Sequence, residues 1–222
     1  MVLESYNKAS FGTPPPILKG VVEVPDAVYP SEMFPKGVRT TPDNFNEATY
    51  KDIIKSVHDL YDNTPDIVQP NNNPRASLAG CLIRLAGHDF MDFRPDEAFK
   101  GGADGCLDFN DGDNAGLPSC MTRFGIPEMY GKHKDTVSMA DFFVIIAEGI
   151  TGRTATDFTA NDYYKEGTMA RRFLDTFKSG RTTVDTCKEV DKRLPNPEHG
   201  CTGRGPGKDG LKQIFLDNIY KG

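Results

Sequence analysis

Between Asp135 and Ile150 the chain reads "DTVSMADFFVIIAEGI", and the part from Phe142 to Ala147 is six consecutive apolar residues. A helix over this stretch is apolar nearly all the way round, so it cannot lie on a surface with one face in water. It predicts a central helix, enclosed by other helices, and most of the chain must be arranged to cover it. With 222 residues the chain can remove roughly 70% of its unfolded surface from water, enough to build such a core.

Two further helices have the periodicity to pack against it. Tyr50, Ile53, Ile54, Val57, Leu60 and Tyr61 recur at helical spacing from Thr49 until "DNTPD" interrupts them. His58, beside Asp59, lies away from most of that apolar set and reads as a solvated histidine. A second helix is predicted after "NNNPRA" and through "SLAGCLIRLAGHDF", with Leu78, Cys81, Leu82, Leu85 and Ala86 as its buried face. Residues 92–118 are dense in Gly and Asp and predict an irregular loop of the kind that often carries function.

The ends of the chain are different in character. Residues 1–45 are rich in proline ("FGTPPPILKG", "VYPSEMFPKG") and predict an extended N-terminal arm lying on the surface of one helical domain, residues 46–222. Residues 151–207 are mostly polar, with a short helix expected at "GTMARRFLDTF". A last amphipathic helix is expected at "KDGLKQIFLDNIY", with Leu211, Ile214, Phe215 and Ile219 on one side.

Composition excludes several classes of function. A formal charge of -6 gives the chain no general attraction for nucleic acid or anionic lipid. No apolar run approaches the about 20 residues that a membrane span needs, and Met1 to Gly20 show no basic start followed by an apolar stretch. The expectation is a soluble protein with its compartment open, an organellar lumen or secretion being favoured over the cytoplasm. The five cysteines contain no C-x-x-C pair, which argues against a zinc knuckle or a thioredoxin-type redox pair. Cys106 with Cys120 and Cys187 with Cys201 flank short loops, so two local disulfides and one free thiol are one expectation and five reduced thiols the other.

The sharpest functional signal is "RLAGHDF", residues 84–90. Arg84 and His88 are four residues apart on a helix and so point to the same side. Directly after the histidine comes an aspartate, followed by a "GGADG" turn and then "DNAGL". These ordered elements resemble the plant, fungal and bacterial haem peroxidase superfamily, whose distal helix carries R-x-x-(aromatic)-H-D, then a loop ending in G-G-A-D-G-S and an N-x-G-L segment. Further along, "VSMADFFVIIAEGI" is similar to the family's V-S-x-A-D helix, "SGRTTVD" to its G-R-x-D turn, "RLPNP" to its L-P-x-P segment, and "LKQIFLDNIY" to the helix that follows. The resemblance runs from about residue 50 to 220.

It implies a mainly α, haem-peroxidase-like fold and a site for haem b. His88 would act as general base toward hydrogen peroxide, Arg84 would stabilise the departing oxygen, and Asn114 would accept from the other imidazole nitrogen. The donor would be an unidentified reductant. It also implies a Ca²⁺ site formed by Asp89, the Gly102 carbonyl, Asp104 and the residue at the family's serine position, here Cys106. Gly87 stands where the family has Phe or Trp, which implies a more open pocket. The chain stops at Gly222, before the family's proximal-histidine helix, which implies either a longer parent chain or a peroxidase-like subunit in a structural or docking role, with a protein partner covering the missing half.

Overall fold

The computed structural model describes residues 27–67, 73–156 and 163–184, together with 187 and 194. These residues form seven α-helices: α1 (Pro30–Met33), α2 (Glu47–Asn63), α3 (Pro74–Met91), α4 (Leu117–Arg123), α5 (Ile126–Gly131), α6 (Met139–Thr156) and α7 (Met169–Thr176). No strand occurs among the described residues; a single isolated bridge joins Thr40 to Thr182.

Helix α6 is the centre, as its composition requires. Phe142, Phe143, Ile145, Ile146 and Ile150 are all fully buried, each contributing roughly 1.5–3 kcal/mol over an exposed position. Helices α2 and α3 pack along it. At Gly149 the approach to α2 is so close that a β-carbon would stand 2.9 Å from Ile54 and 3.4 Å from Val57, which is why a glycine sits in mid-helix despite its low helix propensity.

The helix begins at Met139, directly after "DTVS", because Ser138 takes the role of cap. Its hydroxyl accepts from the Asp141 amide at 3.2 Å and donates to the Arg181 carbonyl at 2.8 Å. Thr41 completes the arrangement, accepting from the Ser138 amide at 3.0 Å. The described part of residues 1–45 is therefore more than a surface covering: Thr41 holds the cap residue of the central helix, and Phe34 is buried edge-on against Tyr130 and Phe143.

Two segments distant in sequence meet here. The Asp141 carboxylate, fully buried, accepts from Arg181 at 2.7 Å and from the Gly180 amide at 2.7 Å. The "MAD" of α6 and the "SGR" after α7 are thus tied by one ion pair.

Two expectations need correction. The disulfides are Cys81–Cys120 and Cys106–Cys187, with sequence separations of 39 and 81. The short-range pairings fail because Cys81 faces inward from α3 onto α4, which brings Cys120 to it, while Cys106 and Cys187 share a small buried cluster with Tyr29, Phe99 and Val184 around them. Nor is His58 a solvated residue. Tyr163, returning after α6, meets the imidazole edge-on at 4.4 Å, Nε2 has no hydrogen-bond partner among the described residues, and burial holds the ring's pKa below its ordinary value. The expected last helix, and Cys201 with it, lies outside the described residues.

Between α2 and α6 the Tyr50 hydroxyl donates to Glu148 at 2.7 Å. Burial pushes the Glu148 carboxyl up to about 7, against the opposing effects of Tyr50 and Arg181. The folded state therefore keeps a proton that the unfolded chain releases near 4.5, and stability should fall as pH rises from about 4.5 to 7. After discounting for partial exposure the expected loss is on the order of 1–2 kcal/mol. Urea unfolding at several pH values measures it, and Glu148→Gln should flatten this part of the profile; an unchanged slope in that variant would assign the effect elsewhere.

Candidate active site

The site is built on the last two turns of α3. Asn73 caps that helix by accepting from the Ala76 amide at 3.0 Å, and Pro74 occupies its first position. Leu78, Cys81, Leu82, Leu85, Ala86 and Asp89 form the buried face. Arg84 and His88 lie beside it, turned toward the loop that follows.

That loop is held by carboxylates at its root. Asp89, buried at the end of α3, accepts from the Gly105 amide at 3.1 Å and the Cys106 amide at 3.0 Å. Asp92 accepts from the Gly102 amide at 2.5 Å. Gly101, Gly102 and Gly105 all have positive φ, and a β-carbon on Gly101 would stand 2.6 Å from the Asp92 carboxylate. The "GGADG" sequence is needed for this tight return.

Beyond Cys106 the chain folds into successive Asx turns, with Asp108 accepting from Asn110 and Asp111 from Asp113, both at 2.9 Å. They deliver Asn114, 97% buried, to the imidazole: its Oδ1 lies 2.9 Å from His88 Nδ1. The Asn114 amide nitrogen donates to the Asp108 carbonyl at 2.8 Å. The amide oxygen is thereby turned to the histidine, so Nδ1 carries the proton and Nε2 keeps its lone pair.

Arg84 stands over that lone pair. Its Nε donates to His88 Nε2 at 3.4 Å, and its two terminal nitrogens donate to the carbonyls of Ala115 at 2.7 Å and Asp113 at 2.6 Å. Burial, and the Arg84 charge after it, lower the His88 pKa against the Asn114 hydrogen bond that raises it. The result is a neutral imidazole whose basic Nε2 accepts only the long bond from Arg84; with that bond parted, the pair suits removing a proton from a weak acid and stabilising the anion formed.

Arg84, His88 and Asn114, singled out in the sequence, are thus brought together. So are Asp89, Gly102, Asp104 and Cys106. Three contributors had no recognisable sequence signal: the Asp108 carbonyl that orients Asn114, and the Asp113 and Ala115 carbonyls that hold Arg84. Backbone groups leave no residue-type trace. Asp92 was equally unmarked.

The second cluster has the charge, but not all the ligands, of a cation site. The Asp89 pKa is raised well above the ordinary carboxylate range by complete burial and by Asp104 and Asp92 nearby, a crowding that a cation would relieve. Cys106, however, is committed to the bond with Cys187, and no group of three or more His, Cys, Asp or Glu side chains among the described residues is placed to hold a metal.

Next to Arg84 and His88, α3 leaves an uncovered strip. A β-carbon on Gly87 would meet nothing within 4 Å, and Ile83 and Phe90, one turn to either side, are 46% and 56% exposed. A flat apolar group could lie along it. The other described histidines are elsewhere: His58 against Tyr163, and His133 against Ser56 and Asp52.

Comparison of the chain with protein-family models, with curated proteins and with solved structures finds no match. Among the described residues no helix is long and apolar enough to cross a membrane.

Proposed function

We propose that this chain is a haem peroxidase-type oxidoreductase that reduces hydrogen peroxide at the expense of an unidentified donor. The observation that carries this reading is the oriented His88: Asn114 holds Nδ1–H, leaving Nε2 basic beside Arg84. Ile83, Gly87 and Phe90 would hold haem b against α3, and the group would supply the electrons that split the peroxide O–O bond. His88 takes the proton from the nearer peroxide oxygen and returns it to the departing one, while Arg84 balances the charge that develops there. Over the whole reaction the donor would give up two electrons and two protons, and one peroxide would become two waters.

The test is peroxide turnover by the chain supplied with haem. His88→Ala should lower the rate by about a hundredfold without loss of haem binding. A chain that takes up no haem, or a variant that turns over at the same rate, would rule the reading out. A second reading, a peroxidase-like subunit in a docking role, is favoured by one observation: both terminal nitrogens of Arg84 are spent on backbone carbonyls, as a structural arginine spends them. In that case His88→Ala leaves the biological role intact.

Calcium belongs to the same proposal, with Asp89, Asp104 and the Gly102 carbonyl as its ligands and Cys106 contributing at most its backbone. Calcium at a hundredfold excess over its dissociation constant should stabilise the fold by about 2.7 kcal/mol. Unfolding midpoints that are identical in calcium and in chelator would remove it. The two disulfides suit an oxidising compartment, an organellar lumen or the cell exterior.

A further inference from the structure

On the other flank of α2, remote in sequence from the His88 site and sharing no residue with it, three side chains converge that the peroxide reading does not use. Asp52 and Ser56 are one helical turn apart and point to the same side. His133, in the turn after α5, sits against both: its Nε2 is 3.2 Å from the Ser56 hydroxyl, and its Nδ1 is 3.7 Å from the Asp52 carboxylate. The imidazole is buried, with its side chain 7% exposed, whereas Asp52 reaches solvent. Ser56 opens on a half-open cleft of about 470 Å³ between α2 and the α4–α5 corner. Leu60, Phe124 and Met129 give the cleft apolar surface, and Asn63, Glu128 and Lys132 give it a polar rim.

We propose that Ser56, His133 and Asp52 form a serine-nucleophile site that hydrolyses carboxylic esters with a small apolar acyl group. The order of contacts is the one that acyl transfer needs: nucleophile to base, base to orienting carboxylate, nucleophile facing a cleft of ligand size. Asp52 favours the proton on Nδ1, which leaves Nε2 to accept from Ser56. The hydroxyl has one competing acceptor, the Asp52 carbonyl at 3.2 Å, but that carbonyl lies one turn back in the same helix, where the ladder already uses it. Burial keeps the imidazole neutral and therefore able to act as a base, with Lys132 acting in the same direction and Asp52 against it. The 3.7 Å between His133 and Asp52 is longer than a hydrogen bond, and such contacts are often long until substrate binds.

In the reaction the Ser56 oxygen bonds to the ester carbonyl carbon while its proton passes to His133 Nε2. The bond from carbonyl carbon to the alcohol oxygen breaks, and the alcohol leaves with that proton. Water, activated by His133 in turn, then cleaves the acyl-serine, releasing the acid and restoring the hydroxyl. No redox partner is involved. Lys132, on the rim, has no ion pair among the described residues and is the cation available to the oxyanion.

The experiment uses the whole chain with p-nitrophenyl butyrate, and separately with a fluorophosphonate whose adduct is located by peptide mass. The expected results are an adduct on Ser56 and a hydrolysis rate that falls at least about a hundredfold, to the background, in Ser56→Ala, with His133→Gln similarly impaired. Asp52→Asn should lower the maximal rate by about tenfold while leaving the adduct site unchanged. Adduct mapping on the unaltered protein does not depend on any variant folding. Absence of the adduct from Ser56, or hydrolysis by a folded Ser56→Ala at the original rate, would overturn the proposal.

Discussion

Arg181→Ala is expected to cost about 3–5 kcal/mol of stability, more than any surface substitution in this chain. The reason is an asymmetry across the ion pair: Asp141 is fully buried, while the Arg181 side chain is 32% exposed. Removing the arginine strands a charge in the core beneath α6, with the Gly180 amide alone among the described residues left to bond it. Removing the carboxylate instead releases a cation that can turn to water, so Asp141→Asn, which keeps an acceptor for Gly180, should cost only about 1–2 kcal/mol. A double-mutant cycle by urea unfolding measures the difference. Equal costs for the two single changes would mean that the pair is less desolvated than its burial indicates.

Loss of either disulfide should cost about 4 kcal/mol, the loop-closure value for rings of 39 and 81 residues. That corresponds to a fall in the unfolding midpoint on the order of 10 °C for a chain of this size. The two bonds should differ in their effect on function. Cys81 is one turn before Arg84, and Cys120 is in α4, directly after the turn that supplies Asn114 and the carbonyls on Arg84. Cys81→Ala with Cys120→Ala therefore loosens both halves of the His88 site at once, and peroxide turnover should fall beyond what the stability loss alone produces. Cys106–Cys187 ties down the "GGADG" loop, which Asp89 and Asp92 also hold, so its loss should affect stability more than rate. Thermal unfolding with and without reductant, paired with turnover below both midpoints, separates the two. Identical midpoints in both redox states would contradict the assigned pairing.

What could be read in the sequence follows from how far each feature reaches along the chain. The helices α2, α3, α6 and α7 were legible because their apolar residues or their capping residues recur within a dozen positions. That Arg84 and His88 share one side of α3 was legible for the same reason, since they are one helix turn apart. Helices α4 and α5 were not, being seven and six residues long and bounded by Gly116 and Gly125 in left-handed conformation, too short to show a period. The disulfide partners depended on where α4 and the segment after residue 184 come to lie, which no local pattern states. The covering of His58 was not legible because Tyr163, which meets it, comes from more than 100 residues away. The burial of Phe34 and Thr41 was hidden by the proline-rich composition around them.

The measurement that bears most directly on the peroxide reading is the visible absorption spectrum of the chain supplied with haem, before and after one equivalent of hydrogen peroxide, with His88→Ala alongside. A Soret band of bound haem that shifts rapidly on peroxide addition in the unaltered chain, and about a hundredfold more slowly in the variant, is the expected result. A folded chain with no Soret band, or a shift equally fast in both proteins, would contradict the role assigned to His88.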